Sequence, residues 1–81
     1  MKKSICVIGL GYIGLPTAAV LANKGFQVTG VDVNKEVIKN LKKGRVHIIE
    51  NGLENLVKKV IKNKNLKVQS EIPCADVFII A

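Results

Sequence analysis

The spacing of apolar and polar positions changes several times along this chain, and each change marks an element. Residues 4–8 (SICVI) and 26–31 (FQVTGV) are short runs rich in β-branched and aromatic side chains, ended by Gly9 and Asp32 respectively. Between them, the apolar run that follows Gly14 predicts a buried helix. Over residues 34–43 the spacing becomes three and four. Val37, Ile38 and Leu41 share one face and Lys39, Lys42 and Lys43 the other, so an amphipathic helix is expected, stopped by Gly44. Residues 45–52 (RVHIIENG) have no period and read as a connection. Leu53, Leu56, Val57, Val60 and Ile61 return to helical spacing, ending in the polar residues 62–65. Residues 66–70 (LKVQS) alternate as a half-buried strand does, and residues 76–81 (DVFIIA) form a continuous apolar one.

The first twenty-two residues admit three readings. Lys2 and Lys3 ahead of an uncharged stretch ending in small residues imitate a secretory signal peptide. The same stretch approaches the ~20 apolar residues that cross a membrane. The third reading follows from its glycines, at positions 9, 11 and 14 between a strand and a helix. In such a GxGxxG turn, Gly9 allows the tight reversal, Gly11 lets the backbone approach a pyrophosphate, and Gly14 lets the helix lie close to the strand. The backbone N–H groups of Gly11, Tyr12, Ile13 and Gly14 then face an anion at the positive end of the helix dipole. Pro16 suits the start of a helix, where its missing N–H costs nothing, and would break a membrane span.

Glycine spacing alone is weak evidence, so the test lies downstream. Asp32 closes the second strand, eighteen residues after Gly14. A carboxylate there can accept hydrogen bonds from adenosine ribose hydroxyls and repels a 2′-phosphate, which favours NAD over NADP. Asp32 could instead merely cap the helix that begins near Asn34. Lys35, His47 and Glu50 have no role that the pattern fixes.

The element order β, α, β, α, α, β, β predicts an α/β chain with a parallel sheet in the order 3-2-1-4, the N-terminal half of a Rossmann-type fold. Right-handed crossovers put the helices on one face. A strand such as VFII expects burial on both faces, so helices from sequence beyond Ala81 are expected to cover the second. Residues 1–81 accordingly read as the N-terminal part of one truncated cofactor-binding domain, with no second domain.

Composition narrows the alternatives. Apolar residues form 48% of the chain and charged residues 23%, a globular balance. Thirteen Lys and Arg against six Asp and Glu give a net charge of +7. The lysines recur opposite apolar residues, with only Tyr12, Phe26 and Phe78 as aromatics. That describes solvated helix faces rather than a nucleic-acid surface. Cys6 and Cys74 lack CxxC spacing and clustered histidines, so free thiols in a reducing cytoplasm are expected, with Cys6 in the core and no metal site.

Residues 5–34 (ICVIGLGYIGLPTAAVLANKGFQVTGVDVN) resemble the start of the UDP-sugar 6-dehydrogenases, the UDP-glucose/GDP-mannose dehydrogenase family. GYIGLP at 11–16, Gly30-Val31-Asp32 and RVHIIENGL at 45–53 are most similar to the branch acting on UDP-N-acetylmannosamine. The connecting segment departs from a frequent Glu-Pro pair, having Glu50 followed by Asn51. The resemblance implies a two-step oxidation of the sugar C6 alcohol to a carboxylate with NAD. It also implies a homo-oligomer when full length and a role in surface polysaccharide synthesis. The nucleophilic cysteine of that reaction lies downstream of these 81 residues, so neither Cys6 nor Cys74 inherits its role and no catalytic residue is expected here. A competing function from another class is a non-catalytic nucleotide-sensing module of the potassium-uptake type, which shares the strand, the glycine turn and the terminal acid.

Overall fold

The computed structural model describes residues 3–81. Strand β1 (Ser4–Ile8) leads through the glycine turn into helix α1 (Gly14–Asn23), followed by β2 (Gln27–Val31), α2 (Lys35–Lys42), α3 (Leu53–Lys62), β3 (Leu66–Gln69) and β4 (Val77–Ile80). The four strands form one sheet in the order β3-β2-β1-β4, with every pair parallel. Every boundary that the pattern set lies within two residues of the expectation, and residues 45–52 contain neither helix nor strand.

Register sorts the side chains by face. Ile5 pairs with Val28 and Val77, and Val28 with Leu66. Val7 pairs with Gly30 and Ile79, and Gly30 with Val68. In-register neighbours of a parallel sheet share a face, and this is the face the helices cover. Ile5, Val7, Val28, Leu66 and Val68 join Leu15, Ala18, Ala19, Ala22, Ile38, Leu41, Val57 and Val60 in one core. Alanines at 18, 19 and 22, all fully buried, replace bulk with proximity and let α1 lie against the sheet. Full burial of Leu10, Leu15, Leu41 or Leu66 contributes about 1.5–3 kcal/mol each.

The other face carries Cys6, Ile8, Thr29, Val31, Phe78 and Ile80. Cys6 is completely enclosed between its sheet neighbours, as expected of a core thiol, and burial pushes its pKa up. Toward the β4 edge the burial ends: Phe78 is 48% exposed and Ile80 81%. The strand expected to be buried on both sides is thus open on one face and only partly covered on the other, where Val77 is exposed and Ile79 half-buried.

Helix ends are fixed locally. The Asn34 side chain accepts from the N–H groups of Glu36 and Val37 at 3.0 and 3.3 Å, capping α2. At its other end the N–H groups of Gly44 and Arg45 return to the carbonyls of Leu41 and Asn40, a Schellman closure. α1 closes the same way, through Gly25 to Ala22 and Phe26 to Leu21. α3 closes differently: Lys64, in the left-handed region at φ 66°, donates its N–H to the Ile61 carbonyl, and the Asn65 N–H goes to Asn63 Oδ1 at 3.0 Å. β4 is anchored at its start by a reciprocal pair: Asp76 Oδ2 accepts from Ser4 N–H and Oγ–H, and Ser4 Oγ accepts from Asp76 N–H at 3.0 Å.

Candidate functional site

The turn after β1 is shaped by two close approaches. Gly9 sits at φ 96°, and a Cβ there would stand 2.8 Å from the Ala81 carbonyl oxygen. Its N–H continues the ladder to the Val31 carbonyl at 2.8 Å, so the chain reverses directly off the sheet. A Cβ on Gly14 would overlap the Gly9 carbonyl oxygen. Only a glycine lets the first turn of α1 touch the end of β1. Gly11 is different: nothing lies within 4 Å of where its Cβ would be, and its φ is not positive. Two of the three glycines are required by the fold, and the third stands beside open space.

That space is a cleft of about 270 Å³ lined by residues 9–14, Asp32 and Ala81. All six residues singled out from the sequence (Gly9, Gly11, Tyr12, Ile13, Gly14 and Asp32) line it. Among the described residues, the N–H groups of Gly11, Tyr12, Ile13 and Gly14 have no hydrogen-bond acceptor, whereas Leu15 and Thr17 already donate to the Gly11 and Ile13 carbonyls. α1 has no side-chain cap and no acid in its first turn, so its positive end faces the cleft uncompensated.

Asp32 closes the opposite wall and is more occupied than its motif position suggests. Oδ2 accepts the Leu10 N–H and Oδ1 the Asn34 N–H, each at 2.9 Å. The expectation that Asp32 either serves a ligand or caps the next helix thus divides differently. The carboxylate supports the Asn34 turn and also ties the glycine loop to the end of β2. Each carboxylate oxygen has about two lone-pair directions, so one per oxygen remains for ligand hydroxyls. The N–H groups of Asn34 and then Leu10 hold its pKa below the ordinary carboxylate value. Partial burial opposes them, and His47 adds a smaller electrostatic pull in the same direction.

The structure also separates the unassigned residues. His47 stands within electrostatic reach of Asp32, whereas Lys35 lines a different cleft with Lys39, Lys42 and Lys43. Three participants carry no motif signal. Leu10 fills the space over Gly30, where a Cβ would lie 2.9 Å from its Cδ2. Val33, 92% exposed directly after Asp32, and Ile72 flank a second cleft of about 230 Å³ that shares Gly9, Asp32 and Ala81 with the first. A parallel sheet binds ligands where its strand order reverses, outside the C-terminal strand ends. Here that point falls between β1 and β4, beside both clefts. No helix of the described residues is long and apolar enough to cross a membrane.

A parallel sheet in the order 3-2-1-4, a glycine turn running into a helix, and a terminal acid on β2 together define a dinucleotide-binding α/β domain. The family model for the NAD binding domain of the UDP-glucose/GDP-mannose dehydrogenase family matches residues 3–81, and the chain belongs to that family. It is 58% identical over 78 residues to a UDP-N-acetyl-D-mannosamine dehydrogenase of Methanococcus maripaludis, covering 96% of this chain and 18% of the relative. The native structure of the UDP-N-acetyl-mannosamine dehydrogenase Cap5O from Staphylococcus aureus superposes with a TM-score of 0.94 at 44% identity, over 96% of this chain and 19% of that one. A UDP-glucose dehydrogenase from Pyrobaculum islandicum gives 0.94 at 33% identity, over 100% and 20%. The chain therefore spans about a fifth of the length of these relatives. The family match leaves the potassium-uptake type of module without support.

Proposed function

We propose that these residues form the cofactor-binding part of an NAD-dependent UDP-sugar 6-dehydrogenase. The observation that carries the proposal is the pairing of four unpartnered N–H groups, on Gly11, Tyr12, Ile13 and Gly14, with the Asp32 carboxylate across one cleft. The N–H groups and the helix end suit a pyrophosphate. Asp32, held ionised, has acceptor capacity for ribose hydroxyls and opposes a 2′-phosphate. Val33 and Ile72 offer an apolar wall beside the ribose position for a flat base. Gly9 serves the turn rather than the ligand.

Bound NAD supplies the hydride acceptor. The residues of this chain bind and orient it, and the nucleophile and general base of the sugar oxidation are assigned to the rest of the larger protein. Higher identity to UDP-N-acetyl-D-mannosamine dehydrogenase than to UDP-glucose dehydrogenase supports UDP-N-acetylmannosamine as the sugar. Coverage of about a fifth of those relatives supports a larger protein as its setting, and the family resemblance implies a homo-oligomer in the cytoplasm. Titrating the purified chain with NAD and NADP while following its urea midpoint tests the cofactor assignment. NAD should raise the midpoint and NADP should raise it much less. Equal shifts, or none with NAD, would refute the Asp32 assignment. The chain alone should oxidise no UDP-sugar, and turnover by a homogeneous sample would show that chemistry resides in these residues after all.

A further inference from the structure

Segment 45–52 contains a bond that the cofactor site does not use. Asn51 is followed by Gly52, whereas the other asparagines, at 23, 34, 40, 55, 63 and 65, are followed by Lys or Leu. Asn51 and Gly52 are the central residues of an exposed turn closed by the Leu53 N–H to the Glu50 carbonyl at 3.1 Å. With Gly52 at φ 81° and ψ −9°, and Asn51 not at positive φ, the turn is type II.

We propose that Asn51 is a site of intramolecular deamidation. The nucleophile is the Gly52 backbone nitrogen and the electrophile the Asn51 side-chain carbonyl carbon, two groups that close a five-membered ring without leaving the dipeptide. Loss of the Gly52 amide proton to solvent base gives the attacking nitrogen. The new N–Cγ bond forms as the Cγ–Nδ2 bond breaks, and Nδ2 departs as ammonia after taking up a proton. Water then opens the succinimide at either carbonyl, giving aspartate or isoaspartate at position 51, and no oxidant or reductant is involved.

Two structural facts favour this bond over the others. A glycine has no Cβ to crowd its nitrogen during attack, and nothing packs within 4 Å of the Gly52 Cβ direction. The hydrogen bond that closes the turn engages the flanking residues. Among the described residues, the Gly52 N–H and the Asn51 side chain have no partner. By contrast, the side chains of Asn34, Asn63 and Asn65 are already hydrogen-bonded. The product carboxylate would stand one residue before the N-cap of α3, where negative charge is favoured.

The test is to incubate the purified chain in mildly alkaline and mildly acidic buffer, with heavy-oxygen water as a label, and to map the peptides by mass spectrometry. The expected result is labelled acid at residue 51 ahead of every other asparagine, forming faster in the alkaline buffer. Asn51→Gln, whose longer side chain must close a larger ring, should abolish the signal at that position without disturbing the turn. Conversion that is as fast at Asn40 or Asn55, or that does not respond to pH, overturns the proposal. So does a folded chain that stays unmodified while the urea-unfolded chain reacts, because the turn would then be holding the two atoms apart.

Discussion

Three alanine substitutions separate the glycines that the fold needs from the one proposed to face a ligand. In Gly14→Ala the new methyl meets backbone, the Gly9 carbonyl, with the Ala81 Cβ a further 3.1 Å neighbour. No rotamer change relieves a clash with backbone, so α1 and β1 must part by roughly 2 Å to reach ordinary contact distance. Overpacking of this kind costs about 3 kcal/mol. A chain of 81 residues has only about 4–12 kcal/mol of total stability. Gly9→Ala combines a positive φ with a 2.8 Å contact to backbone and should cost a similar amount, about 2–3 kcal/mol. Gly11→Ala meets nothing and should stay within about 0.5 kcal/mol of the parent, or gain slightly through a stiffer unfolded chain.

Far-ultraviolet circular dichroism against urea is the suitable assay, since the chain has no Trp and one Tyr. With a slope of about 1 kcal/mol/M for so small a protein, Gly14→Ala should move the midpoint down by about 3 M. Gly11→Ala should leave the midpoint in place but abolish its rise with NAD. A Gly14→Ala midpoint within about 0.5 M of the parent would show that the helix–strand approach does not demand glycine. An undiminished NAD response in Gly11→Ala would remove the pyrophosphate from this turn.

Asp32→Ala should destabilise the apo chain by about 1–3 kcal/mol, because two backbone donors lose their acceptor; an unchanged urea midpoint would mean that the carboxylate serves only ligand. The depressed pKa of Asp32 sets the sign of its pH dependence. Its stabilisation is fully present above the ordinary carboxylate pKa and is lost as pH falls through the lower folded value. Acid unfolding curves of Asp32→Asn should therefore lack part of that loss, and superimposable curves would count against it. Lys64→Gly should raise stability by about 0.5–1 kcal/mol, the left-handed cost of Lys less the entropy of a new glycine; a lower melting temperature would contradict this. A thiol reagent should label Cys74, which is exposed, in the native chain, and Cys6 only after unfolding; rapid native labelling of Cys6 would show that the sheet opens.

Much of this protein is determined by short-range sequence. The strand at residues 4–8, the lysine-backed helices and the strand alternation at 66–70 are local patterns, because period two or three to four reflects which side of one element meets water. The turn was partly legible, since glycine at 14 answers to the Gly9 carbonyl five residues away, whereas the carbonyl that crowds Gly9 comes from Ala81 at the far end of the chain. What the sequence could not show is what depends on residues far apart. The double use of Asp32 needs Leu10 and Asn34 brought to its two oxygens. The anchoring of β4 needs Ser4 beside Asp76, and the second cleft needs Ile72 beside Val33. Those meetings are set by the order in which four strands pair, and backbone hydrogen bonds between strands carry no mark in the side-chain pattern of either one. The sequence alone thus determined which elements form and which turn runs through glycines into a helix. The tertiary structure decided which glycine stands beside an open cleft, and that the acid opposite it also holds the loop together.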